Sequence, residues 1–216
     1  IMFVNRLPFF MTISRHIKFG TAEAIKNQQN KTILAAIKQV KSIYMRRGFI
    51  ITHLLMDGQF EPLRADIADL KITLNTVSRD AHVPEIERRI RTVKERTRCI
   101  YNTLPFRHVP PRMLIEMVYA SNVLLNCFPL ADGVSKVLSP QAIVVGMQIN
   151  FAKHCQLEFD NDMTSCTTGA IALWPTGNEQ GSYYFYSLST GRRINRNRWT
   201  PLPMPNEVID RIRNLA

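Results

Sequence analysis

The stretch HVPEIERRIRTVKERTRCIYNTL (residues 82–104) predicts an amphipathic helix that begins at Pro84, since proline is favoured at the first helical position. Residues that recur with a period of 3.6 form its predicted buried stripe: Ile86, Ile90, Val93, Thr97, Ile100, Tyr101 and Leu104. Three glutamates, Glu85, Glu87 and Glu95, lie among six arginines and lysines. The helix is therefore either a solvated helix, or a helix that carries a metal-binding carboxylate and also holds a polyanion.

The solvated interpretation has a simple physical basis. Glu85 with Arg89, and Glu87 with Arg91, are pairs four residues apart, each worth about 0.2–0.5 kcal/mol. Glu87, Arg91, Lys94 and Arg98 line a wetter face beside the buried stripe. Taken alone, the helix favours the solvated interpretation.

Strands and helices alternate through the surrounding chain. The predicted elements are strands within 1–26 with a hairpin turn at Asn5-Arg6, a helix at 31–47 capped by Asn30 and followed by Gly48, a strand at 49–55, a short helix at 60–70, a strand at 71–77 and a helix at 112–128. This interleaved order predicts an α/β fold, with a mixed sheet flanked by helices, over residues 1–129.

The remaining chain predicts a connector at 130–168 and a small β-rich extension at 169–216, with a hairpin turn at Ser189-Thr190-Gly191. The last strand alternates: Arg193, Asn195, Asn197 and Trp199 share one predicted face, and Arg192, Ile194, Arg196 and Arg198 share the other. With Tyr183, Tyr184 and Tyr186 nearby, such a strand suits nucleic-acid contact. A charged edge strand that deters aggregation is an equal alternative.

Composition narrows the class of partner. A net charge of +11 over 216 residues points to an anionic partner, most commonly nucleic acid. No apolar run is long enough for a membrane span, and no secretory signal pattern is present. The four cysteines have no metal-ligand spacing, which favours a reducing, intracellular setting. The chain begins with Ile1, so we expect it to be a fragment of a longer protein.

Asp57 is the second candidate for chemistry. It follows a strand-like run and lies in an Asp-Gly turn, so its carboxylate could converge with that of Glu87 on Mg²⁺. The alternative is a turn residue that bonds to its own backbone. We expect the rival acids Asp66, Asp69 and Asp80 to be surface residues, Glu85 to favour the helix dipole, and His53 to be a packed or edge histidine.

Four segments together resemble the integrase region of copia-type retrotransposon polyproteins. MFVNRLPFFMTIS (2–14) is similar to the first hairpin of that catalytic core, and HLLMDGQFEPLR (53–64) to the strand with its second aspartate. PEIERRIRTVKERTR (84–98) is similar to the helix with its final glutamate, and GSYYFYSLSTGRRINRNRW (181–199) to the small β unit after the core. The resemblance spans nearly the full chain.

That resemblance implies an RNase H-like core in which Asp57 and Glu87 are catalytic and hold Mg²⁺ or Mn²⁺ for 3′-end processing and DNA strand transfer on double-stranded DNA. The expected DNA-binding residues are Arg88, Arg91, Lys94, Arg98, Arg192, Arg193, Arg196 and Arg198. The resemblance also implies that the protein is a homo-oligomer and acts in the nucleus. The first catalytic aspartate is expected just before Ile1, so we expect the printed chain to be inert. The alternatives are a basic nucleic-acid-binding module without catalysis, or a relic without function.

Overall fold

The computed structural model describes residues 1–77, 83–106, 108–146, 168–178 and 180–215. Asp80 and residues 147–167 of the predicted connector lie outside these ranges. The elements are β1 (Met2–Val4), β2 (Leu7–Ile13), β3 (Gly20–Ala24), α1 (Asn30–Met45), β4 (His53–Asp57), a 3-10 helix (Gly58–Leu63), α2 (Arg64–Asp69), β5 (Thr73–Val77), α3 (Pro84–Thr103), α4 (Pro111–Asn126), α5 (Pro140–Val144), β6 (Ala170–Pro175), β7 (Tyr183–Ser187), β8 (Arg193–Arg196) and α6 (Asn206–Asn214). The predicted mixed α/β fold with a small antiparallel β unit is confirmed.

The chain folds as two compact units. The first contains residues 1–96 and 122–146, and the second contains residues 97–121 with the described residues between 168 and 215. Helices α3 and α4 therefore each contribute residues to both units. None of the described helices combines the length and the apolar character that crossing a bilayer requires.

An antiparallel sheet of three strands opens the first unit, with β2 between β1 and β3. The predicted turn at Asn5-Arg6 is confirmed, because both residues have positive φ angles, 44° and 66°. Two-residue hairpins favour this left-handed backbone since it matches the twist of the strands.

Helix α1 packs its predicted face into the core of the first unit. Its buried residues are Ile33, Ala36, Ile37, Val40 and Tyr44, as the 3.6-residue period predicted. Gly48 follows the helix with a φ of 76°. The predicted cap at Asn30 was wrong: Gln29 is the N-cap, and Asn27 instead accepts hydrogen bonds from Gln29 N and Thr32 Oγ1.

Strands β4 and β5 form a separate parallel pair, joined by the 3-10 helix and α2. Hydrogen bonding thus divides the expected mixed sheet into two within the described residues. Strand β4 begins at His53, so 49–52 of the predicted strand lie outside it. Met56 and Leu74 of the pair join the core that Phe60, Leu63 and Ile67 share with α1.

The second unit ends in an antiparallel sheet with β7 between β6 and β8. The turn before β8 is confirmed, and Gly191 there has a φ of 65°. One helix in the predicted connector was missed. Helix α5, in the first unit, has the local signal of a capping serine: Ser139 Oγ accepts from Ala142 N at 3.2 Å, and Pro140 follows it.

Candidate functional site

Asp57 is the last residue of β4, where the parallel register aligns it with Val77 of β5. His53, Leu55 and Asp57 are exposed, whereas Met56 is buried. This alternation is that of a strand with one solvated face. The Asp57 carboxylate therefore lies on an open surface at the carboxyl end of a parallel strand pair.

The backbone nitrogen of Ile1 lies within electrostatic range of the Asp57 carboxylate. The Ile1 side chain also packs against the core cluster that contains Met56. The start of β1 is therefore close to the end of β4.

Glu87 is exposed in the first turn of α3, and its backbone N–H donates to Val83 O at 3.3 Å. It belongs to the same unit as Asp57. No group of three or more His, Cys, Asp or Glu within the described ranges could hold a metal ion. The convergence of Asp57 and Glu87 on a shared ion stays a prediction.

Glu85, the main rival of Glu87, is engaged elsewhere. The ammonium group of Lys18 forms an ion pair with Glu85 and lies 3.2 Å from Asp132. The hydrogen bond to Glu85 raises the pKa of Lys18, and the hydrogen bond from Lys18 lowers the pKa of Asp132. The predicted Glu85–Arg89 pair was wrong, since these two residues have different partners. The other described rivals, Asp66 and Asp69, are exposed on α2.

Arg89 was expected on the solvated face but is buried, with 7% of its surface exposed. Its guanidinium donates to Asn122 Oδ1 and to Asn126 Oδ1, at 2.9 Å and 2.7 Å, and to the Asn122 carbonyl at 3.1 Å. Burial, with a smaller contribution from the charge of Arg96, lowers its pKa to about 10. The sequence held a signal, because position 89 is three residues after Ile86 and four before Val93, within the apolar stripe.

The four predicted DNA-binding residues of α3 are all exposed: Arg88, Arg91, Lys94 and Arg98. The first three belong to the first unit and Arg98 to the second. A solvated cation is available for a phosphate contact, so their exposure is compatible with the predicted role.

The C-terminal arginines fall into two classes. Arg192 and Arg198 are exposed and Arg196 is half-buried. Arg193 is also exposed, but its guanidinium lies 3.2 Å from Oε1 of Glu116, a carboxylate with no exposed surface, and its guanidinium carbon is 4.4 Å from the centre of the Tyr184 ring. Sequence reasoning missed Glu116. It occurs three residues after Met113 and four before Ala120, on an apolar face.

The predicted faces of the last strand hold only within β8. Its register pairs Arg193 with Tyr186 and Asn195 with Tyr184 on one face. Trp199 was predicted on that face, which was wrong, because β8 ends at Arg196. Trp199 packs instead on Tyr183 and Phe185, with ring centres 4.7 Å and 5.2 Å away.

Among solved structures, the chain is similar to retroviral integrases. The catalytic core domain of BIV integrase matches with a TM-score of 0.43 and 18% identity, over 66% of this chain and 88% of that one. A chain of the simian T-cell lymphotropic virus intasome in complex with PP2A regulatory subunit B56 gamma matches with a TM-score of 0.42 and 13% identity, over 90% of this chain and 75% of that one. No protein-family model and no curated protein matches. The roles of individual residues therefore rest on the chain's own geometry.

Proposed function

We propose that this chain is part of an integrase-type polynucleotidyl transferase that acts on double-stranded DNA, with Asp57 and Glu87 as metal-binding carboxylates. The observation that carries the proposal is the place of Asp57, exposed at the carboxyl end of β4 and beside the start of β1. Ligands of open α/β sheets gather at the carboxyl ends of the parallel strands.

The resemblance assigns the second carboxylate to Glu87 rather than to Glu85, and the proposal keeps that assignment. Glu85 forms an ion pair with Lys18 in the first turn of α3. Glu87 is exposed two residues further along, so it points to a different side of the helix. The exposed cations of α3 would then lie on the same helix as a metal ligand and would form charge-assisted hydrogen bonds with the phosphates of bound DNA.

The donor chemistry fits Mg²⁺ or Mn²⁺. Magnesium is commonly held by one or two carboxylates, with water and substrate phosphates completing its shell, so two exposed carboxylates are sufficient protein ligands for an ion that binds together with DNA. When bound, such ions activate the attacking oxygen and stabilise the leaving oxygen of a phosphodiester. In this proposal Asp57 and Glu87 hold the ions, and the α3 cations hold the DNA backbone.

The test measures Mn²⁺ binding to the chain by electron paramagnetic resonance, with and without a blunt DNA duplex. We expect Asp57→Asn and Glu87→Gln each to weaken binding in the presence of DNA, and the matched control Asp66→Asn, an exposed acid on α2, to leave it unchanged. Equal effects of all three substitutions would contradict the proposal. Because the resemblance puts the first aspartate before Ile1, strand transfer is assayed with that aspartate supplied. Glu87→Gln should then abolish transfer, and retained transfer would move the role to Glu85.

A basic nucleic-acid-binding module without catalysis is the second candidate. The exposed cations of α3 and those around β8 favour it independently of any carboxylate. It predicts DNA binding that weakens steeply with salt and does not change with Mn²⁺. Metal-independent binding with no cleavage, after the first aspartate is supplied, would select this candidate. Multimeric assembly and action in the nucleus belong to the first proposal only.

A further inference from the structure

Arg89 has an unusual set of partners for a buried cation. Charged side chains are rarely buried unless they are paired. Within the described part of the chain, no carboxylate forms an ion pair with Arg89, and its hydrogen-bond acceptors are the side chains of Asn122 and Asn126 and one backbone carbonyl. Both asparagines are themselves buried, with 5% and 1% of their surfaces exposed.

The same two asparagines hold the first residue of β3. Asn122 Nδ2 and Asn126 Nδ2 donate to Gly20 O at 2.8 Å and 2.7 Å, and Gly20 N donates to Asn126 Oδ1 at 2.9 Å. Arg89, Asn122, Asn126 and Gly20 are here called the Arg89 clamp. They join α3, α4 and β3, and all the described hydrogen-bond acceptors of the Arg89 guanidinium are neutral. Charged donors make the stronger hydrogen bonds, so the arginine fixes these elements more firmly than a neutral donor could.

Gly20 is required by this arrangement. A Cβ atom at position 20 would lie 2.7 Å from Nη2 and 2.8 Å from Nε of Arg89. Real Cβ atoms do not approach other atoms this closely, so any larger residue displaces the guanidinium. The start of β3 and α3 are in direct contact at this point.

A second tie fixes the beginning of α3 to the same stretch of chain. Lys18, two residues before Gly20, forms the ion pair with Glu85. Glu85 and Arg89 are one helical turn apart, and Glu87 lies between them on another side of the helix. Residues 18–20 thus hold α3 on both sides of Glu87.

We propose that the Arg89 clamp, together with the Lys18–Glu85 ion pair, positions Glu87 by fixing the first two turns of α3 against the start of β3. The inference rests on the proposed function for the role of Glu87, but the fixing of α3 is measurable without it. Arg89 is a positioning residue here, because it acts through Glu87 rather than on metal or DNA.

The experiment compares Arg89→Met, Arg89→Lys and Gly20→Ala with Arg96→Met, which replaces an exposed arginine on the same helix. Amide hydrogen exchange of residues 84–90 reports on the helix, and Mn²⁺ affinity with a DNA duplex reports on Glu87. We expect Arg89→Met and Gly20→Ala to raise exchange in 84–90 by roughly tenfold or more. They should weaken Mn²⁺ binding by about tenfold, as loss of a group that orients a metal ligand does. Arg89→Lys should be intermediate, and Arg96→Met should change neither quantity.

Two double variants make the assignment specific. In a Glu87→Gln background, Arg89→Met should weaken Mn²⁺ binding no further, because its effect passes through Glu87. In an Arg89→Ala background, Gly20→Ala should raise the exchange rate little further, because the clash between the new Cβ atom and the guanidinium is gone.

Unchanged exchange at 84–90 in Arg89→Met would overturn the inference, and so would raised exchange with unchanged Mn²⁺ affinity. A parent chain that binds no Mn²⁺ overturns the proposed function, and exchange alone then decides the fixing of α3. If Arg89→Met does not fold, Arg89→Lys and Gly20→Ala decide it.

Discussion

The indole Nε1 of Trp174 donates a hydrogen bond of 2.7 Å to Oε2 of Glu116, whose side chain is fully buried. Arg112 and Arg193 lie 2.8 Å and 3.2 Å from Oε1, but neither directs an N–H at that oxygen with hydrogen-bond geometry. At Oε1 these two arginines therefore act as ion-pair partners rather than as hydrogen-bond donors. Oε2 also accepts a longer hydrogen bond of 3.3 Å from Arg193 Nη1, so Trp174 makes the shortest hydrogen bond to this buried carboxylate.

We expect Trp174→Phe to destabilise the second unit by about 1–3 kcal/mol, because it removes the shorter of two hydrogen bonds to Oε2 of a buried carboxylate and leaves only the 3.3 Å bond from Arg193 Nη1. The chain has two tryptophans, so urea unfolding can be followed by the fluorescence of the remaining Trp199. Trp199→Phe is the matched control and should cost less, since Trp199 makes ring contacts with Tyr183 and Phe185 that a phenyl ring largely keeps. Equal costs would show that the hydrogen bond to Glu116 contributes nothing.

Arg193 should be important for stability rather than for DNA. Arg193→Met removes an ion-pair partner of a carboxylate that cannot reach water, and also the contact with Tyr184, so we expect a loss of about 2 kcal/mol. Arg192→Met, at the exposed neighbouring position, should change the unfolding free energy by about 0.5 kcal/mol or less. Similar losses in the two variants would contradict this division.

The exposed cations of α3 should set the salt dependence of DNA binding. Replacing Arg88, Arg91 and Lys94 together by glutamine should reduce the slope of log K against log salt by about 2.7, or about 0.9 for each phosphate that is no longer neutralised. Arg112→Gln is a suitable control, because the Arg112 charge is paired with Glu116. The prediction fails if the slope is unaltered in a fluorescence-anisotropy titration over a range of salt concentrations.

The ion pairs of Lys18 should make the free energy of unfolding depend on pH. The pKa of Lys18 is raised in the folded chain. The stabilisation that Lys18 contributes is therefore complete below its ordinary pKa of 10.5 and is lost as the pH rises through the higher pKa of the folded state. The pKa of Asp132 is lowered, so its contribution is complete above the ordinary value of 3.8 and is lost as pH falls through the lower folded value.

The difference in unfolding free energy between the parent chain and Lys18→Met should therefore be constant between these limits and should shrink beyond each of them. Urea unfolding over a pH series measures it. Lys38→Met, which removes the charge of an exposed lysine of α1, is the matched control.

Cys127 should resist alkylation. Burial raises the pKa of its thiol to about 11, and Sγ donates to Val123 O at 3.1 Å. Only the thiolate reacts, so at pH 8 iodoacetamide should modify Cys127 about a hundredfold more slowly than a cysteine of ordinary pKa near 9. Exposed Cys99 is the internal comparison, read by mass spectrometry of the separate peptides. Comparable rates would mean that the end of α4 is not packed as described.

The sequence predicts the elements of this fold well where local chemistry decides them. The positive-φ turn at Asn5-Arg6, the buried face of α1, the start of α3 at Pro84 and the turn before β8 each depend on residues a few positions apart. The edges of β4 were misplaced because the apolar run 49–55 continues across the true start of the strand.

The Arg89 clamp and the surroundings of Glu116 show what such patterns leave out. Arg89 and Glu116 could have been noticed as charges within apolar stripes. Their partners could not, since Gly20 and Asn126 are separated by 106 residues, and Glu116 and Trp174 by 58. A helical period predicts that a side chain is buried, but it does not predict which distant residue contacts that side chain.

The parallel register of β4 and β5 has a consequence for the order of assembly. Every pair in it, from His53↔Thr73 to Asp57↔Val77, closes a short stretch of chain, so the strand that ends in Asp57 can form while the protein is still leaving the ribosome. The Arg89 clamp cannot form until Asn126 has been synthesised. We expect Asp57 to reach its place early in biosynthesis, and the helix that carries Glu87 to be locked only after α4 has been made.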